Sequence, residues 1–154
     1  MAQEKQIEPF KLIGVAIKTT NKNGQAMADI GQAWERFYSE ALHSKIPAKV
    51  DEDIYAVYTD YQSDYQGKYT FILGCKVSSL EKIPNGFEGR TFKGGRYLKY
   101  IAKGKMPDAV ANQWEKIWQD EDKLDRAYAC DFEVYSRKYQ NPDNAEVDLY
   151  IGTK

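Results

Sequence analysis

Apolar and polar positions along the chain divide it into two similar series. From Glu8 to Thr19, Ile13, Val15 and Ile17 mark one face of an extended segment, and Phe10, Leu12, Gly14 and Ala16 mark the other. Both faces are largely apolar, so this predicts a strand central in its sheet. The polar run around Asn23-Gly24 is a turn signal. Between Gln25 and about Ser44 the residues Met27, Ile30, Trp34, Phe37 and Ala41 recur at three- and four-residue steps, which predicts an amphipathic helix. Two segments of period two follow, Ile54–Asp60 and Tyr69–Val77, and read as an antiparallel hairpin.

The order then begins again. Ser78–Gly95 is a turn-rich connector holding the short extended piece EGRTFK. Arg96–Lys103 alternates as a strand, and Pro107-Asp108 opens a helix with the stripe Val110, Trp114, Ile117, Trp118 and Leu124. In the stretch Asp131–Tyr139, Phe132 and Val134 face one way, and Asp131, Glu133 and Tyr135 the other. The turn Asn141-Pro142-Asp143-Asn144 and a last strand, Glu146–Thr153, close the series.

The two halves agree in residues as well as in order. Trp34 and Trp114 sit in the middle of their helices. The following strands carry Ala56-Val57-Tyr58 and Glu133-Val134-Tyr135, and the closing strands Gly74-Cys75-Lys76 and Gly152-Thr153-Lys154. The expected architecture is therefore α+β: one domain, 1–154, of two strand–helix–strand–strand modules (about 8–78 and about 95–154, with connector 79–94). A pseudo-twofold axis would relate them, with an antiparallel sheet and a central ligand cleft. In this alignment the counterpart of the Glu133 carboxylate is the methyl group of Ala56. Either the cleft is specialised for a charged ligand, or an exposed position has drifted.

Composition narrows the chemistry. The 154 residues carry 22 basic and 23 acidic side chains, without the basic excess that nucleic-acid binding calls for. No apolar run is long enough to span a membrane and MAQEKQIEPF lacks a signal-peptide core, so the expected location is cytoplasmic. Cys75 and Cys130 have no metal-ligand spacing and His43 is the sole histidine, so neither a metal site nor a cofactor is expected. Aromatic residues make up 14% of the chain, with 12 tyrosines among them. Tyrosine suits a surface that binds flat, partly polar molecules.

The duplicated pattern, Trp34-x-x-Phe37 and Phe132-Glu133-Val134-Tyr135 together resemble the gyrase-inhibitor-like superfamily. That superfamily includes the effector-binding domains of AraC-type and MerR-type transcription regulators. The likeness runs from about Glu8 to Lys154 and leaves no room for a helix-turn-helix domain. It implies a stand-alone bacterial effector-binding protein, a type also found among mobile gene-cassette products. In multidrug-sensing members a glutamate of the late strand neutralises cationic, lipophilic ligands, and Glu133 is the matching position. The resemblance thus implies binding of a cationic or aromatic small molecule at Glu133, with Tyr135, Tyr58, Trp34, Trp114, Tyr97 and Tyr69 as candidate walls. Trp118, Tyr97, Tyr69 and Tyr150 are the weaker candidates, and Phe37, Ile117, Val57 and Val134 are assigned to the core. A hydrolase of reactive electrophiles, with Glu133 as general base, is an alternative, and gyrase inhibition a further one. Nothing in the sequence demands catalysis, so binding is preferred to an enzyme. A homodimer or a separate regulatory partner stays open.

Overall fold

The computed structural model describes residues 2–64, 66–136 and 143–154. Residues 137–142, which include Asn141 and Pro142 of the expected turn and the end of the Asp131–Tyr139 stretch, lie outside the described residues.

Among the described residues the strands and α-helices follow in this order: β1 (Gln3–Ile7), β2 (Phe10–Thr20), α1 (Gln25–Ser39), α2 (Leu42–Lys45), β3 (Ile54–Thr59), β4 (Lys68–Val77), β5 (Glu88–Phe92), β6 (Gly95–Gly104), α3 (Asp108–Gln119), β7 (Arg126–Tyr135) and β8 (Ala145–Thr153). All pairings are antiparallel, in the order β1-β6-β8-β7-β3-β4-β2-β5. That order reads the same from either edge once β2, β3 and β4 are equated with β6, β7 and β8. At its middle β3 lies against β7, and Ala56 is the direct partner of Glu133. The two positions that differ between the repeats therefore sit side by side where the halves meet.

Alternation along the strands sorts the core into two sides. Ile13, Val15, Phe71 and Leu73 face α1, while Ala102, Val147, Leu149 and Ile151 face α3. The reverse face is a separate layer of Phe10, Leu12, Val57, Ile72, Phe92, Tyr97 and Phe132. Both helices consequently lie on one side of the sheet, with β3 and β7 as the floor between them.

Three expectations change. The first helix ends at Ser39, because Ala41 takes a left-handed φ of 50° and the chain restarts as α2. Strand β1 was not foreseen: QEKQI is polar and largely exposed, so an edge strand of this kind shows no apolar periodicity. The connector is not a plain link either, since its EGRTF piece is β5 and pairs with β2 of the other half, as β1 pairs with β6.

Gly14 and Gly74 face one another across β2 and β4. A Cβ on Gly74 would lie 2.1 Å from the Ile13 carbonyl oxygen and 2.6 Å from Gly14 Cα, both backbone atoms that cannot swing away. Gly74→Ala is expected to lower unfolding free energy by about 1–3 kcal/mol, the usual cost of overpacking, in urea denaturation. A loss below a few tenths would show that the two strands separate freely.

Candidate functional site

Between α1, α3 and the sheet lies a cavity of about 710 Å³, room enough for a drug-sized molecule. Ile30, Trp34 and Tyr38 come from α1, Val110, Trp114 and Trp118 from α3, and Tyr58, Tyr69, Glu133 and Tyr135 from the floor. The α1 stripe explains how one helix serves two purposes. Ala33 and Phe37 are buried against the sheet, whereas Ile30 and Trp34 lie a fraction of a turn round and face the cavity. Met27, expected among the packed residues of that stripe, is instead 82% exposed at the cavity mouth.

Glu133 is 2% exposed, and its carboxylate is held from three sides. Tyr58 donates its hydroxyl to Oε2 at 2.9 Å, the Trp114 indole N–H donates to the same oxygen at 2.6 Å, and Tyr135 donates to Oε1 at 2.6 Å. Each repeat thus contributes one strand tyrosine, Tyr58 or Tyr135, to the single acid. Burial raises the Glu133 pKa above the ordinary carboxylate value, and the three hydrogen bonds, which favour the charged form, oppose the rise. The same burial, reinforced by the neighbouring carboxylate, pushes the Tyr58 hydroxyl well above its usual range, so it stays a donor. Among the described residues no basic group pairs with Glu133.

Aromatic rings surround this acid. Trp34 meets Tyr135 edge-on at 4.7 Å between ring centres, Tyr58 meets Trp114 at 5.2 Å, and Tyr58 meets Tyr69 at 5.8 Å. The Tyr69 hydroxyl is anchored on Asn21 at 2.9 Å.

Of the expected wall residues, Trp34, Tyr58, Tyr69, Trp114 and Tyr135 converge here with Glu133, and Trp118 joins them. Tyr97 does not. It lies on the reverse face against Phe132, at 5.4 Å between ring centres, because odd-numbered β6 residues point away from α3. Tyr150 stacks on the same Phe132 at 4.8 Å and is likewise outside the cavity. Phe37, Ile117 and Val57 are core, as expected, and Val134 packs half-buried on the reverse layer.

Several lining residues had no sequence signal, Tyr61, Met106 and Arg126 among them. Tyr61 follows β3 in a polar loop, Met106 precedes α3, and Arg126 opens β7 five residues before Asp131. Arg126 has a fully buried side chain. Its Nη2 donates to Asp131 Oδ2 at 2.5 Å, and its Nη1 contacts both Glu121 oxygens at 2.9 and 3.2 Å. A register shift between Arg126 and Asp131 on β7 brings the two ends of that segment together. Among the described residues no three or more His, Cys, Asp or Glu side chains are placed to hold a metal ion, and none of their helices is long and apolar enough to cross a membrane.

The profile of the integron-associated effector binding protein family, Cass2, matches residues 5–152. The chain belongs to that family. The integron cassette protein from the mobile metagenome of Vibrio cholerae is 28% identical, aligning 99% of this chain with 95% of that one at a TM-score of 0.77. The structure of SAV2435 bound to tetraphenylphosphonium aligns 100% of this chain with 94% of that one at a TM-score of 0.83, and at 18% identity it is a likeness of fold. YobU of Bacillus subtilis (strain 168), described as a transcriptional regulator, is 24% identical over 123 residues, covering 79% of this chain and 77% of that protein. The α+β effector-binding fold implied by the resemblance is therefore correct.

Proposed function

We propose that the cavity binds lipophilic or aromatic cations, with Glu133 as the anion that selects positive charge. The observation carrying this reading is a buried carboxylate inside an aromatic cavity, held by neutral donors alone among the described residues. A lone buried charge is unfavourable, so a cation desolvated beside it gains more than it would in water. Ring faces add cation–π attraction, about 0.5–2 kcal/mol each depending on desolvation. Membership of an effector-binding family and the tetraphenylphosphonium complex of a structural neighbour support a small, lipophilic, positively charged effector. Occupancy would be passed on to transcription through a partner, in keeping with the likeness to YobU.

The test is a pair of ligands of matched shape and opposite charge. Titration of tetraphenylphosphonium is expected to change the fluorescence of Trp34, Trp114 and Trp118 saturably, whereas tetraphenylborate gives no saturable change at the same concentrations. Equal binding of the two would remove charge selection, and with it the role of Glu133.

A further inference from the structure

We propose that the rim of the cavity holds a second cation site, built on Glu115, so that the pocket takes dications with one charge at the floor and one at the mouth. This rests on the reading of Glu133 given above. Glu115 lines the cavity and, unlike Glu133, is exposed to solvent. It belongs to the stripe of α3 that faces the cavity, since Ala111, four residues before it, and Trp118, three residues after it, are lining residues too. Among the described residues it has no ion-pair partner. Its neighbour in the chain relates it to the floor, because the Trp114 indole N–H reaches Glu133 at 2.6 Å. The α3 backbone at Glu115 thus stands about one tryptophan side chain and one hydrogen bond away from the buried acid.

The charge balance of the wall is negative. Glu115 and Glu133 are its acids, and the one basic residue among the described lining residues, Arg126, is engaged by Asp131 and Glu121. A cleft lined by one sign of charge focuses its field on counter-ions, so a second positive charge is drawn to the rim. The rim offers rings as well. Trp118 lies one turn on from Glu115, and Tyr38, 60% exposed, lines the cavity from α1. A quaternary ammonium group suits such a place, because ring faces attract it without hydrogen bonds and the carboxylate adds charge. The α3 stripe is otherwise apolar at Val110 and Ala111, as is Ile30 on α1. The ligand class is therefore a lipophilic cation that carries a second, tethered cation at its solvent-facing end.

Two isosteric phosphonium ions separate the contributions: (4-trimethylammoniobutyl)triphenylphosphonium and (5,5-dimethylhexyl)triphenylphosphonium, in which carbon replaces the quaternary nitrogen. Both are titrated into the full chain by calorimetry at low ionic strength. Glu115→Gln is expected to weaken the dication roughly three- to fivefold, the upper scale of an exposed ion pair, and to leave the monocation unchanged. Glu115→Asp is expected to keep most of the dication's affinity, and added salt to narrow the gap between parent and Glu115→Gln. In Glu133→Gln both compounds weaken, and adding Glu115→Gln still weakens the dication alone. Should Glu115→Gln bind both compounds as the parent does, or weaken both equally, Glu115 is no recognition point while the cation site at Glu133 stands. Should neither compound bind the parent, the reading of Glu133 falls and this one with it.

Discussion

Glu133→Gln is expected to bind tetraphenylphosphonium about a hundredfold more weakly than the parent, a loss of about 2.7 kcal/mol. The substitution preserves the shape of the side chain, and its remaining oxygen still accepts from Tyr58 and Trp114, which share Oε2 in the parent. The aromatic walls are untouched, so what disappears is charge. A pH series strengthens the test. Burial raises the Glu133 pKa above 4.5, so the folded, empty protein holds this proton more tightly than the unfolded chain. Its contribution to stability is fully present below the unfolded value and is lost as pH rises through the folded value. Binding a permanent cation requires the ionised form, so affinity rises with pH over that window and a proton is released. Glu133→Gln removes this dependence. Equal affinity of parent and variant at neutral pH would refute the cation-binding role.

The second large effect is on the fold. Asp131→Ala is expected to lower unfolding free energy by about 3–5 kcal/mol, the range for breaking a buried ion pair by removing one partner. For a chain of 154 residues this corresponds to a fall in Tm of roughly 6–20 °C. Asp131 is 0% exposed and accepts from Arg126 at 2.5 Å, from the Tyr61 hydroxyl at 2.5 Å and from the Gly152 backbone N–H at 2.8 Å. Removing it strands three donors and leaves Arg126 dependent on Glu121. Asp131→Asn keeps an acceptor for Gly152 and should lose less. Urea unfolding of both variants measures the difference. A loss below about 1 kcal/mol for the alanine variant would mean that Glu121 and water replace the carboxylate.

Glu133 and Asp131 illustrate how far a sequence can be read. Alternation placed both on the face of β7 that looks towards the helices, and the repeat aligned Glu133 with Ala56. The same periods located β2, β3, β4, β6, β8 and both long helices, because a buried face imposes its period on whichever side chains cover it. They also fixed which residues of one strand share a face, and Tyr58, Tyr69 and Tyr135 lie with Glu133 on the cavity wall. Tyr97 went astray for a related reason: its face was read correctly, but nothing in the sequence said on which side of the sheet α3 packs.

What the sequence determined by itself was thus local and periodic: the elements, their inward faces, the duplication and the one acid out of place. Tertiary structure decided the rest. It alone paired β1 with β6 and β5 with β2, since edge pairing depends on backbone groups that carry no residue-specific signal. It alone put Met27, on the same helix stripe as Phe37, at the exposed cavity mouth. And it alone brought Arg126 beside Asp131 and Trp114, because a charge is held in a protein interior by partners from other parts of the chain, and their approach is a matter of packing rather than of spacing.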